Sequence, residues 1–267
     1  MKYKDWNVLG SRGEQICGTT HAQEGELKGV VLLGHGFKGY KEYGMFPWLA
    51  QQFAQRGYCA HRFNFSHSGM LEGDGPFVRP DLFKKQTWNT QVEDVAILCD
   101  AFSENGLPLY ILGHSRGGVA CLLAAGRGTV SVDGVLSLSA PSTCNPLTKE
   151  SQQVLLAKGS LESPSSRTDQ LLEIGACFLQ EQLDDPTSHA LLELAGNIES
   201  PVLIVHGEED PTVPVDAAIA LAKAVKNPTL VRISGGDHVM NTSNPFEVDA
   251  RPSPQLQGAW DAIEDWL

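Results

Sequence analysis

The sequence predicts an α/β fold, a mostly parallel sheet with helices on both faces. Three observations predict it. Short apolar runs bounded by Gly or Pro alternate with amphipathic stretches of helical length, and that alternation is the pattern of βαβ units, whose sheet is covered on both sides. The length of 267 residues suits one such domain. A content of 42% hydrophobic and 19% charged residues is a globular balance, which excludes wholesale disorder.

Along the chain, "EQICGTTHA" (14–22) reads as a strand in an N-terminal antiparallel part. "KGVVLLGH" (28–35), "YCAHRFNF" (58–65), "PLYILGH" (108–114), "GVLSLSA" (134–140), "PVLIVHG" (201–207) and "TLVRIS" (229–234) follow as strands. Helices are expected over about 46–56, 87–104, 116–126, 216–226 and 255–267. One interval breaks the rhythm. From Asn145 to Ser200 no strand signal occurs, and Ser, Gln, Glu and Leu dominate. Within it "LLEIGACFLQEQL" (171–183) and "SHALLELAG" (188–196) read as helical, and "KGSLESPSSRTD" (158–169) as loop. The interval is an expected insertion between two strands of one sheet. Residues 1–267 are therefore expected to form a single domain with a small helical lid at 145–200.

The net charge of −12 lacks the basic footprint that nucleic acid requires and does not suit an anionic membrane surface, so neither is an expected partner. The opening "MKYKDWNVLG" has no apolar core of a signal peptide, and no stretch approaches the ~20 apolar residues of a membrane span. The six cysteines never approach C-x-x-C spacing, and reduced, buried thiols in a cytoplasmic protein are expected. No H-E-x-x-H or Cys/His cluster suggests a metal. No feature fixes an oligomeric state.

Gly34, Gly36 and Gly39 spell G-x-G-x-x-G after an apolar strand, the fingerprint of a dinucleotide cradle. Its context fails. The next helix begins only near Phe46, too late to offer N–H groups to a pyrophosphate, and the second strand ends at Asn64 with no acid for a ribose. A nicotinamide cofactor is not expected, nor any other.

Gly113-His114-Ser115-Arg116-Gly117 is a G-x-S-x-G between a strand and a helix. Such a turn holds a serine in a strained conformation at the carboxyl end of the sheet, and its glycines remove side chains that would clash. A serine hydroxyl needs a base, and the base needs an orienting acid. His238, in "SGGDHVMN", follows the last strand on a loop that reaches the same edge. His35, His114 and His206 occupy strand ends where turn packing explains them. Asp210 ends the acidic turn "HGEEDP", whereas Glu208 and Glu209 read as solvated. Two backbone N–H groups must then hold the tetrahedral oxyanion. Arg116, after the nucleophile, and Phe37, in "GHGFKG", are the candidates.

The motifs "HGFKG", "RFNFSHSG", "GHSRGG", "VLIVHGEEDPTVP" and "GGDH" span Gly34 to His238. Together they resemble the α/β-hydrolase family, and within it small bacterial hydrolases of the dienelactone-hydrolase and cinnamoyl-esterase type. The resemblance implies an α/β-hydrolase fold, Ser115 as nucleophile, Asp210 and His238 as triad partners, and Phe37 and Arg116 as oxyanion donors. Two departures stand out: dienelactone hydrolases use cysteine where this chain has serine, and 145–200 matches no phenolic-acid pocket motif. The expected activity is hydrolysis of small-molecule carboxylic esters, short acyl or aromatic, through an acyl-enzyme. The same triad would serve an amide or peptide bond. A silent binding protein on this fold is the third alternative, and the complete residue set counts against it.

Overall fold

Successive residues of the central strands go to opposite apolar layers, as the two-residue period of a strand requires. Val30, Leu32, Ile111, Val135, Val202 and Ile204 enter one core. Val31, Leu33, Leu112, Leu136, Leu203 and Val205 enter the other. This double burial is why the strands read as continuous apolar runs.

The computed structural model describes residues 2–73, 75–104, 106–165 and 168–267. The strands are β1 (Lys2–Leu9), β2 (Gln15–Ala22), β3 (Gly29–Gly34), β4 (Tyr58–Asn64), β5 (Leu109–His114), β6 (Gly134–Leu138), β7 (Ser160–Pro164), β8 (Leu171–Gly175), β9 (Val202–Gly207) and β10 (Pro228–Ile233). Eight of them form one sheet in the order β1-β2-β4-β3-β5-β6-β9-β10. The β1–β2 and β2–β4 pairs are antiparallel and the rest parallel. The chain thus has the expected α/β-hydrolase architecture, with an antiparallel N-terminal part. The polar edge strand β1 escaped the sequence reading because most of its residues are exposed, so it carries no apolar run.

The helices are α1 (Phe46–Gln55), α2 (Pro80–Lys84), α3 (Trp88–Phe102), α4 (Arg116–Gly126), α5 (Lys149–Lys158), α6 (Cys177–Asp184), α7 (Leu191–Ala195), α8 (Asp216–Ala224) and α9 (Pro254–Trp266). α1 and α9 cover one sheet face through Phe46, Leu49, Phe53, Leu256, Trp260 and Ile263. α3, α4 and α8 cover the other through Val92, Val95, Val119, Leu122 and Leu221. Each such fully buried side chain contributes about 1.5–3 kcal/mol.

The insertion is mixed, not purely helical, and this corrects the sequence reading. Residues 171–175, expected as helix, are strand β8, which pairs antiparallel with β7 inside the segment expected as loop. Ser166 and Arg167 of that segment lie outside the described residues. Five residues of "LLEIG" are too few for a 3.6-residue period to be told from a period of two. Gly175 then passes so close to the Lys84 carbonyl that a side chain would overlap it. α5 was missed because it buries only Leu155, although Thr148 marks its start by accepting the Ser151 N–H at 3.2 Å.

Candidate active site

β3, β5, β9 and β10 are parallel, so the loops after them gather at one sheet edge, where α/β sheets place their ligands. Ser115 sits between β5 and α4 with φ 52° and ψ −119°, a left-handed conformation that costs a non-glycine residue about 1–3 kcal/mol. The surroundings hold it there. Its N–H donates to Leu138 O at 2.7 Å. A Cβ on Gly117 would lie 2.5 Å from the Gly34 carbonyl oxygen, and one on Gly113 would overlap the Gly117 backbone. Both motif glycines are thus demanded by close packing.

His238 Nε2 lies 3.0 Å from Ser115 Oγ, and its Nδ1 lies 2.7 Å from Asp210 Oδ2. The structure therefore brings together Ser115, His238 and Asp210 from three loops. Because Nδ1–H donates to the carboxylate, Nε2 is left as a lone-pair acceptor facing the hydroxyl. The Asp210 side chain is fully buried. Its other oxygen accepts the N–H groups of Thr212 at 2.8 Å and Val213 at 2.9 Å. Burial by itself would raise this carboxyl, but the hydrogen bonds from His206, His238 and Val213 outweigh it and hold the group well below the usual carboxylate range.

Two histidines that sequence reasoning left to turn packing touch this arrangement. His206 Nε2 donates to Val213 O at 2.8 Å and stands 3.3 Å from Asp210 Oδ2. His114 Nε2 donates to the His238 carbonyl at 2.7 Å. Their signal was present in the sequence: both end strands at the same sheet edge, and His206 precedes Asp210 by four residues. Asp237 instead accepts the N–H groups of Val239 and Asn241 in its own loop, while Glu208 and Glu209 are exposed.

The loop after β3 lies against the serine, since a Cβ on Gly36 would stand 3.0 Å from Ser115 Cβ. A turn closes it, Gly39 N–H to Gly36 O at 3.0 Å. His35 fixes the turn by donating from Nδ1 to Gly36 O at 2.8 Å and accepting the Phe65 N–H on Nε2 at 3.3 Å. That double role needs a neutral ring, and burial holds His35 down at about 4. Phe37 and Arg116 flank Ser115 on the wall of one cavity of about 390 Å³. The Arg116 N–H belongs to the first turn of α4, where no helical carbonyl can take it. Trp88, Pro146, Leu147, Ile174 and Phe178 make much of the remaining wall.

A model of the alpha/beta hydrolase family matches residues 30–251. The chain belongs to the alpha/beta hydrolase family. No curated protein is similar enough in sequence to match this family member. Among solved structures, this alpha/beta hydrolase is similar to Est1E from Butyrivibrio proteoclasticus with ferulic acid bound. That likeness has a TM-score of 0.71 and 18% identity, covering 100% of this chain and 98% of that one. It is also similar to a putative hydrolase from Agrobacterium vitis S4, with a TM-score of 0.76 and 17% identity over 99% of each chain. XC6422 from Xanthomonas campestris, described as an a/b serine hydrolase without lid, gives 0.63 at 15% identity, covering 100% of this chain and 96% of that one. At such identities the likeness carries the fold, and the chemistry must be argued from the site. Among the described residues no group of side chains could hold a metal ion, and no helix is long and apolar enough to cross a membrane.

Proposed function

We propose that this alpha/beta hydrolase is a serine esterase that cleaves carboxylic esters through an acyl-enzyme. The observation that carries the reading is the continuous hydrogen-bond chain from Ser115 Oγ through His238 to the buried Asp210, opening on an apolar cavity. His238 Nε2 takes the proton as Ser115 Oγ attacks the ester carbonyl, and Asp210 stabilises the imidazolium. The Phe37 and Arg116 N–H groups hold the oxyanion, aided by the positive end of α4. Collapse breaks the bond to the alkoxy oxygen, which leaves with the proton from His238. Water, deprotonated by His238, then releases the acid and restores the serine.

His238 borders a much smaller space of about 30 Å³, together with Gly36, Tyr43 and Phe46. Since the leaving alcohol must receive the His238 proton, it occupies that side, and the acyl group fills the 390 Å³ cavity. This volume suits short or aromatic acyl groups, and the ferulic acid bound by the similar Est1E accords with an aromatic one. Residues 145–200 act as a cap within a single domain. They contribute Pro146, Leu147, Ile174 and Phe178 to the wall. The β7–β8 hairpin is tied down by Lys38 Nζ donating to Pro164 O at 2.6 Å, by the Lys84–Glu173 pair at 3.0 Å, and by Leu172 among Phe77 and Phe83. These ties favour a fixed cap over a moving lid.

A fluorophosphonate probe tests the reading, because it labels only an activated serine. We expect stoichiometric labelling at Ser115, with Ser115→Ala losing about 10⁶ in ester turnover while still folding. An unlabelled Ser115 in folded protein overturns the reading.

A further inference from the structure

Arg116 carries a charge that the mechanism does not use. Its side chain leaves the helix beside the nucleophile and lies in the wall of the acyl cavity, and the residue is only 8% exposed. The guanidinium carbon sits 4.7 Å from the Trp88 ring centre, 4.8 Å from that of Phe178 and 5.6 Å from that of Phe37. Nε donates to Gln91 Oε1 at 2.7 Å, whereas the buried Nη2 has no partner among the described residues. Among those residues no carboxylate pairs with it within 4.0 Å. Glu181, the acid that acts on it from further away, is committed to the start of α3, where it accepts the Trp88 N–H at 2.5 Å and the Asn89 N–H at 3.3 Å. Burial lowers Arg116 to about 10, so it remains charged at neutral pH with little water to solvate it.

A buried, unpaired guanidinium is costly unless something completes its hydrogen bonds. Aromatic faces offset part of that cost but accept no N–H in the guanidinium plane. The group that completes it best is a carboxylate, through the planar fork of the guanidinium. We propose that the Arg116 side chain recognises a carboxylate carried on the acyl part of the substrate, so that the preferred substrates are half-esters of diacids. An aromatic diacid would lay its ring against the apolar wall of the cavity and set its free acid on the guanidinium edge that borders it. This rests on the esterase reading and adds a substrate class to it.

The test compares monomethyl terephthalate with methyl 4-methylbenzoate, which keeps the ring and replaces the free carboxylate by a methyl group. Proton release in a pH-stat follows both. For the wild-type protein, kcat/KM on the half-ester should exceed that on the neutral ester by at least ~10-fold, the worth of one hydrogen bond to a charged group. In Arg116→Gln that ratio should fall by ~10-fold or more, with the change carried mainly by KM for the half-ester. A wild-type ratio of one or less overturns the proposal without recourse to any variant, which covers the case in which Arg116→Gln does not fold. A folded Arg116→Gln that slows both esters equally also overturns it, because Arg116 is then only a prop for the aromatic wall. In both cases labelling of Ser115 by fluorophosphonate leaves the esterase reading standing. Absence of labelling together with absence of turnover on either ester removes both.

Discussion

The turn at residues 113–118 and the insertion at residues 145–200 border the same cavity, yet different physics sets them. In the turn, neighbouring backbone fills the space beside Gly113 and Gly117, and Ser115 is held at φ 52°. Only one pattern of residues fits such a space, so the motif is readable in five letters. In the insertion, α5 buries a single residue, and Leu156, Leu171 and Leu183 are 45%, 58% and 51% exposed. Many sequences satisfy a surface of that kind. The comparison teaches that legibility follows steric demand, and that proximity to the cavity does not confer it.

Four changes probe this contrast, beginning with the largest effect. Asp210→Asn removes the carboxylate that sets the His238 tautomer and should lower ester turnover by roughly 10⁴ with Ser115 in place. Steady-state rates on a p-nitrophenyl ester measure it. Activity within tenfold of wild type would mean that Asp237 or another acid orients the base.

Gly117→Ala puts a methyl group 2.5 Å from the Gly34 carbonyl oxygen. It should cost about 3 kcal/mol or more in urea unfolding, at the upper end for overpacking. Leu156→Ala on α5 should stay within about 0.5 kcal/mol. Equal costs at the two positions would erase the distinction drawn between turn and insertion.

The smallest expected change in catalysis belongs to Ile174→Ala. It enlarges the cavity from the insertion side and should shift the ratio of kcat/KM between six-carbon and two-carbon acyl esters by about tenfold. An unchanged acyl-length profile in the folded variant would take β8 out of substrate selection.

Much of the candidate site was legible because the proposed acyl chemistry constrains residue types and order. A serine between glycines after a strand, an acid after a later strand and a histidine after the last leave few readings open, and all three groups lie at one edge. The dinucleotide-like glycines were readable only by context. Gly36 serves the approach of its loop to Ser115, a need that shares its spelling with a phosphate cradle.

What the sequence determined by itself is the alternation of buried strands with amphipathic helices and the chain order of Ser115, Asp210 and His238, since both are written in local periodicity and motif. Tertiary structure alone decided the rest. The contact of His114 with the His238 carbonyl and the three rings around Arg116 join residues far apart in the chain. Local pattern cannot encode such contacts, because they exist only once the sheet has brought its loops to a common edge.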